Sequence, residues 1–430
     1  MTNYLKQIWF ELRHQPVVTI TSVMGTAFAI FFVMAVYMIA SVDTVPVAPE
    51  SNRDRILHGQ YGHVSMKEQG GESSGGVAYT TLKKFYSDLD GVDIVSYGGD
   101  WDAPADVSVK DGDCISLVQK KVDENFWKIF DFKFIGGKPF DKASVDARLN
   151  QVILQKASAE KIFGNSDVVG KEIKINHTPY TVVGIVDNTS PILAQSYANI
   201  YVPYTPENES ELWAEGYLGQ SRAYLLMSEG ASEDDIRKQV KQRYDIMNSA
   251  LKKDGLEFKY HQAPFNAEMM AASNGSNGEP DAHTPRKRRY IIYLILLILP
   301  AINLSSMTRS RLRQRVSEIG VRRAYGATKW NIMNRFLGEN LVLTLCGGVI
   351  GLILCIIFIA LCSNFFISYG GWWASGDIAI ARPTFNMLLN FKTFGWAILF
   401  CLILNLLSTG LPAWKASRTN PAEAISGKND

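Results

Sequence analysis

The chain has 430 residues, 47% of them hydrophobic and 20% charged, with a formal net charge of +2. So small an excess of positive charge gives no reason to expect a nucleic-acid partner, and the averages alone would suit a soluble protein of two or three domains. That average misleads, because the apolar residues are concentrated in a few long stretches and the charges fill the segments between them.

In residues 1–16, Tyr4, Leu5, Ile8, Trp9 and Leu12 recur at helical spacing while Lys6, Glu11 and Arg13 fall elsewhere, and Pro16 closes the segment. This pattern predicts a cytoplasmic amphipathic helix, lying in the membrane interface or against a partner subunit. Residues 17–41 follow without a charge or a proline, long enough to cross a hydrocarbon core of about 30 Å. Ser22, Gly25, Thr26 and Ala29 give this first span small-residue spacing for close helix contact. Its length, and the lack of a small-x-small site after it, argue for an uncleaved anchor rather than a signal peptide.

Residues 42–287 carry the aromatic and β-branched content of a water-soluble core. Helices are predicted over 80–89, 123–129, 156–163 and 232–251, and strands over 94–97, 152–154, 172–175, 180–186 and 199–202, which implies small α+β subdomains. The run GGESSGG within residues 69–76 reads as a flexible loop, and 273–285 as a linker. Cys114 is the one cysteine outside the apolar stretches, so no disulfide is expected to staple this domain. His58 and His63 read as surface histidines rather than a metal pair.

No constellation for catalysis stands out. Gly164, Gly170 and Lys171 mimic a phosphate loop, but at the wrong spacing and with Glu172 where a Mg²⁺-binding hydroxyl is needed. Neither a paired-cysteine site, an HExxH helix nor a nucleophile elbow is present. The expectation is a non-enzyme without a metal or cofactor of its own.

Residues 288–307 form a second span, shorter and interrupted by Pro300, Asn303, Ser305 and Ser306. The loop 308–337 then sets Arg309, Arg311, Arg313, Arg315, Arg322, Arg323, Lys329 and Arg335 against one acid, Glu318. Positive charge in a short loop predicts a cytoplasmic side, which places both termini in the cytoplasm and 42–287 outside it. Arg286, Lys287, Arg288 and Arg289 oppose this rule at the outer end of the second span, where an anchor to anionic headgroups explains them. A third span over 338–367, a short outer loop over 368–390 with Trp372 and Trp373 in an interfacial belt, a fourth span over 391–412 and a cytoplasmic tail over 413–430 complete the chain. The predicted class is thus four transmembrane α-helices with a large α+β extracytoplasmic domain inserted between helices 1 and 2.

Entering the third span, the sequence reads SEIGVRRAYGATKWNIMNRFLGENLVLTLCGGVIGL. Here Gly326 can end a helix in the left-handed conformation, Ala327 keeps the surface flat, Arg322 and Arg323 can pair with carboxylates, and Glu318 can cap or pair locally. On composition alone the loop would favour binding to anionic lipid, and the glycine, alanine and glutamate spacing argues for docking instead. The block resembles the MacB/FtsX-like family of ABC transporter permeases, with Glu318, Ile319, Gly320, Arg322, Ala324, Gly326, Ala327, Ile332, Phe336, Glu339 and the group Gly347, Gly348, Gly351 in the family's places. The closing PAWKASRTNPAEAI resembles the family's tail through Pro412, Ala413, Ala416, Pro421, Glu423 and Ala424. VILQKASAEKIFG, VVGKEIKI, YTVVGIVDN and IYVPYT resemble its periplasmic core domain, with the likeness loosest over 51–112.

The resemblance implies a coupling helix, through Glu318, Gly320, Arg322, Arg323, Gly326 and Ala327, that seats in a separate ABC ATPase subunit carrying the ATP and Mg²⁺. With only some sixteen residues before the first span, the motor is expected on another polypeptide. The small residues Gly25, Ala29, Gly347, Gly348 and Gly351 are expected at helix contacts, including an interface with a second permease copy or paralogue. A bacterial inner membrane, its lipid, and a periplasmic adaptor or outer-membrane channel complete the implied setting. Cargo ranges over drugs, peptides and lipoproteins; the other possibility is a non-transporting subunit that relays motion to a cell-wall hydrolase.

Overall fold

The computed structural model describes residues 16–41, 46–66, 70–109, 114–206, 208, 211–273, 275–276, 278–281, 287, 291–292, 294–295, 321, 325–369, 394–395, 398–399 and 402–403. The chain divides into two compact units, one of Met1–Ser41, Arg286–Ser363 and Thr384–Asp430, the other of Val42–Pro285 and Asn364–Pro383.

In the first unit, helix α1 runs over Pro16–Ser41, opened by a proline whose missing N–H costs a helix start nothing. The other long helix, α8, covers Lys329–Tyr369, 41 residues without a proline, of which those up to Ser363 belong to this unit. Within them Thr19–Met38 and Leu337–Leu361 are long and apolar enough to cross a membrane. Residues 329–337 of the predicted loop are helical and continuous with the residues predicted to form the third span. The apolar periodicity fades at Trp330–Arg335, but nothing in the sequence there breaks a helix. The predicted amphipathic helix over 1–16, apart from Pro16, and the tail, Trp372 and Trp373 lie outside the described residues, and the spans over 288–307 and 391–412 almost wholly so.

The second unit holds two sheets. Strands β1 (Ile56–Gly59), β4 (Val92–Gly99), β5 (Ala103–Ser108), β6 (Ile115–Val122), β7 (Phe134–Gly137), β8 (Gln151–Gln155), β9 (Glu172–Ile175), β10 (Thr178–Val186), β11 (Ile200–Pro203) and β12 (Ser221–Met227) form the larger, in the order β1-β12-β4-β6-β11-β8-β10-β9-β5 with β7 beside β10. Because β5 also pairs with β6, six of these strands close into a ring. Closure leaves no open edge there for another chain to pair with. Inside it pack Val107, Leu117, Val152, Leu154, Ile173, Val182 and Ile200, with Ala159 from helix α5 (Lys156–Phe163).

The smaller sheet is β2 (Tyr61–Met66) between β13 (Leu256–Phe258) and β3 (Gly71–Gly76). Helices α2 (Tyr79–Tyr86) and α6 (Glu233–Leu251) cover it and β12, and at their contact Phe85 stacks on Tyr244 with ring centroids 3.8 Å apart. Between this core and the ring lies an aromatic layer of Phe126, Trp127, Phe130, Tyr201 and Tyr224.

The helices at 156–163 and the strand at 172–175 have their predicted limits, and the other predicted elements are present with ends shifted by a few residues. One is much shorter: helix α3 (Phe126–Ile129) starts only after Asp123, whose carboxylate accepts from the Asn125 and Phe126 amides and caps it. Residues 71–76 are a correction of another kind. GGESSGG is strand β3, paired residue by residue with β2, His63 opposite Ser74 and Tyr61 opposite Gly76. Its glycines are required by contact, since a Cβ at Gly75 would sit 2.6 Å from the Trp213 ring and one at Gly76 2.5 Å from the Gly219 carbonyl. His58 and His63 are a further correction: both are buried, His58 edge-on to Tyr224 and His63 against His261.

Candidate functional site

Three places in the chain combine special geometry with exposed or charged chemistry. The first is the entry to α8. The Tyr325 amide donates to the Val321 carbonyl at 3.1 Å, as in a last helical turn, and Gly326 then takes φ +90, a conformation that L side chains rarely adopt. Two residues on, Thr328 Oγ1 accepts from the Asn331 amide at 3.2 Å and caps α8, so one short turn joins two helical stretches. A Cβ at Gly326 would meet no atom within 4 Å, so the glycine is there for its backbone and leaves a bare surface.

Beside that turn, Tyr325 is 90% and Trp330 62% exposed. Neither was singled out from the sequence, where aromatic residues at a membrane entrance pass for interfacial anchors. Ala327 is half-buried next to the glycine. Glu318, Gly320, Arg322 and Arg323 lie outside the described residues.

The second place is the contact of α8 with α1. A Cβ at Gly347 would lie 2.8 Å from Thr26 Cβ and 3.1 Å from the Val23 carbonyl, and one at Gly351 3.0 Å from the Ala27 carbonyl. Gly348 faces Ile398, 3.3 Å from a would-be Cβ. Ala29 is buried and Gly25 half-buried in α1. The glycine step thus seats two helices of one chain against each other, the backbones close enough that only hydrogen fits.

The third lies in the second unit, where the β4–β5 connection carries Asp100, Trp101 and Asp102 into a cleft. Lys120 on β6 and Arg222 on β12, both buried, reach Asp102 Oδ2 at 2.6 and 3.2 Å. Burial pulls the Lys120 amine down to about 8 while Asp102 holds it charged. Arg222 also donates to the Gly99 and Asp100 carbonyls and to Tyr224 Oη, so each of its three nitrogens has a partner. The Gln60 side chain hydrogen-bonds Asp100, whose carboxyl burial pushes up to about 6. A neighbouring buried pair joins Arg53 to Glu50 at 2.6 Å, and Glu50 also accepts from the Ser196 amide and hydroxyl. Among the described residues, no group of three or more His, Cys, Asp or Glu side chains is arranged to hold a metal ion.

Residues 19–243 match the family described as MacB-like periplasmic core domain, and residues 290–421 that described as FtsX-like permease C-terminal. An uncharacterized ABC transporter permease, YknZ of Bacillus subtilis, is 24% identical over 71% of the chain and 68% of its own length. A macrolide export ATP-binding/permease protein MacB of Vibrio parahaemolyticus is 23% identical over 71% of the chain, which spans 42% of that relative. The crystal structure of the periplasmic region of MacB from Actinobacillus actinomycetemcomitans aligns with 49% of the chain and 91% of its own at a TM-score of 0.33 and 15% identity.

Proposed function

Since the chain belongs to the family of permeases that carry a MacB-like periplasmic core domain and an FtsX-like C-terminal region, we propose that it is the membrane subunit of an ABC transporter in which ATP-driven closure of an ATPase subunit moves the periplasmic domain through the membrane helices. On this reading the chain crosses a bacterial inner membrane four times, with both termini cytoplasmic. ATP and Mg²⁺ belong to the ATPase subunit, and this chain contributes docking and motion rather than catalysis. The cargo is an exported or extracted molecule of the drug, peptide or lipoprotein kind, and a second copy or paralogue completes the permease pair.

The observation that carries the reading is the turn at Gly326, bare, flanked by the exposed Tyr325 and Trp330, and leading without a break into a 41-residue helix. An exposed aromatic pair beside a flat glycine–alanine turn suits a groove on a partner, where aromatic side chains supply much of the binding energy. The helix behind it carries the displacement onward.

The test is retention of an ATPase subunit by the detergent-purified chain. Gly326→Trp forces a bulky residue into a left-handed backbone and onto the bare surface, and the double variant Tyr325→Ala, Trp330→Ala removes the aromatic pair. Each is expected to lower retention by about tenfold or more, and the double variant, which leaves the backbone unstrained, is expected to do so with its circular dichroism melt unchanged. Equal retention by all three proteins refutes the docking assignment.

A further inference from the structure

After strand β13, residues 259–273 cross the second unit before the chain enters the linker predicted over 273–285. Their backbone meets β1 where His58 and Phe265 exchange both amide hydrogen bonds, at 2.7 and 2.8 Å, and helix α7 (Ala267–Ala272) follows. Ala263, Phe265 and Met269 are buried against Tyr61 and Met270. Asn266 donates to Glu233 Oε2 at 2.8 Å, and Arg237 to the Pro264 carbonyl at 3.2 Å. The attachment is modest, and a cleft of about 190 Å³ lies between Ala267, Met270 and Ala271 on one side and Arg53 and His58 on the other. A segment held by so few buried apolar side chains opens at lower cost than the closed ring of strands.

Three of the chain's six histidines lie under or in this segment: His58 on β1, His63 on β2 and His261. His58 Nδ1 and both ring nitrogens of His63 and His261 are sealed from solvent without a hydrogen bond. The His63 and His261 rings meet edge to face, their centroids 5.4 Å apart. A sealed imidazole without an acceptor is stable only while uncharged. The surroundings reinforce this, because Arg53 and Arg222 face His58, with Tyr224 edge-on to it, and His63 and Lys259 face His261, with Glu279 acting in the opposite sense. Release of the segment gives His58 and His261 back to water.

Other groups set where release stops. Glu72 Oε2 lies 3.3 Å from His63 Nε2, so a proton on His63 gains an ion pair in the closed form. Glu72 also pairs with Lys259, and that hydrogen bond holds its carboxyl below the usual range, which keeps the 259 end pinned in acid. Asp100 shares a cleft with Met270, and its carboxyl, pushed up to about 6 by burial, opposes release as pH falls wherever release uncovers it.

We propose that residues 259–273 form an acid-released clasp, closed over His58 and His261 while both imidazoles are neutral and let go from 261 onward when they take up protons, so that the segment joins the linker leading to the second predicted span. Burial lowers His58 to about 3 and His261 below its ordinary value, so closure is complete above about pH 6.5 and weakens as pH falls. Full exposure of His58 alone would raise the opening equilibrium by up to about 25-fold between pH 7 and pH 5. The clasp lies within the second unit and involves no ATPase, so its test is independent of the docking assignment.

The experiment is hydrogen exchange read by mass spectrometry on the full chain in a neutral detergent at pH 7 and pH 5, corrected for the chemical exchange rate. The natural chain is compared with the double variant His58→Phe, His261→Gln. Protection over 261–273 is expected to fall at least about tenfold further in the natural chain than in the variant. Asp100 and His63 are common to both chains and cancel in the comparison. Low urea separates local release from global unfolding: at pH 5 exchange of the segment should be indifferent to it, while that of β8 and β10 rises steeply. Equal falls in the two chains overturn the proposal, as does a segment that exchanges only together with β8 and β10. If the double variant does not fold, His261→Gln alone, at a half-buried position, takes its place. A smaller fall than in the natural chain is then expected, and an equal fall overturns the clasp.

Discussion

If Gly347 is the point where α8 meets α1, adding one methyl group there should push the two helices apart. A Cβ at Gly347 would stand 2.8 and 2.9 Å from Thr26 Cβ and Cγ2 and 3.1 Å from the Val23 carbonyl oxygen, the last a backbone atom that no rotamer change can move. Comfortable carbon contacts lie at about 3.5–4.0 Å, so the helices would have to part by roughly 0.7 Å or more. Overpacking on this scale costs about 1–3 kcal/mol, offset by up to about 1 kcal/mol that alanine gains over glycine inside a helix. A net loss of about 1–2 kcal/mol is expected for Gly347→Ala, read by denaturant unfolding of the purified chain in detergent. Thr26→Gly removes the opposing Cβ and Cγ2 and leaves the Val23 carbonyl, so in that background Gly347→Ala should cost less than in the natural chain, a coupling of about 1 kcal/mol in the double-mutant cycle. Gly348→Ala, which meets only the flexible end of Ile398 at 3.3 Å, should cost less than either Gly347→Ala or Gly351→Ala. Gly347→Ala that stabilises the natural chain and shows no coupling to residue 26 would refute the contact.

Two further outcomes concern the second unit. Asp123 Oδ1 accepts from Ser96 Oγ at 2.6 Å and from the Asn125 and Phe126 amides, and Oδ2 accepts from the Tyr97 amide at 2.7 Å. Asp123→Ala should therefore cost about 3 kcal/mol or more in urea unfolding by stranding several buried donors, and Asp123→Asn less. His58 is buried, and burial, with help from the Arg53 and Arg222 charges, lowers its imidazole to about 3. A folded value below the unfolded 6.5 means stability that is complete above about pH 6.5 and drains away as pH falls from there towards 3. Between about pH 7 and pH 5 this withdraws roughly 2 kcal/mol, which a His58→Phe chain should not lose. Asp100 works in the opposite sense: its folded value of about 6 lies above the unfolded 3.8, so the penalty of its buried charge fades as pH falls through that window. Unfolding midpoints of the natural, His58→Phe and Asp100→Asn chains across this range separate the two; identical pH profiles would contradict both burials.

The sequence revealed most where local chemistry and tertiary context agree. Lys156–Phe163 is an amphipathic run closed by Gly164 at φ +76, and its limits are readable from the chain alone. Residues 71–76 are not, because their glycines and serines carry no strand propensity; the strand exists through its backbone ladder with β2 and through contacts with Trp213 and Gly219, far along the chain. The same distance hid the cleft. Asp100 and Asp102 look like loop acids until the sheet brings up Lys120 and Arg222 from β6 and β12. At the glycines of α8 the small-residue spacing was legible, whereas the partner was not, since spacing names a face and never the helix that covers it.

The continuous α8 has a mechanical consequence. Forty-one residues at about 1.5 Å each make a beam of roughly 60 Å, about twice the hydrocarbon thickness it is fit to cross. No proline interrupts it, its interior glycine pair Gly347–Gly348 is packed at the α1 contact, and the left-handed Gly326 precedes its first turn. Rocking such a beam by about 5° around its middle shifts each end by roughly 2.5 Å without breaking one internal hydrogen bond. Were the helix to act as the proposed lever, its stroke would follow from angle and length, and the work would go into sliding α8 against α1 at Gly347 and Gly351 rather than into remaking the helix.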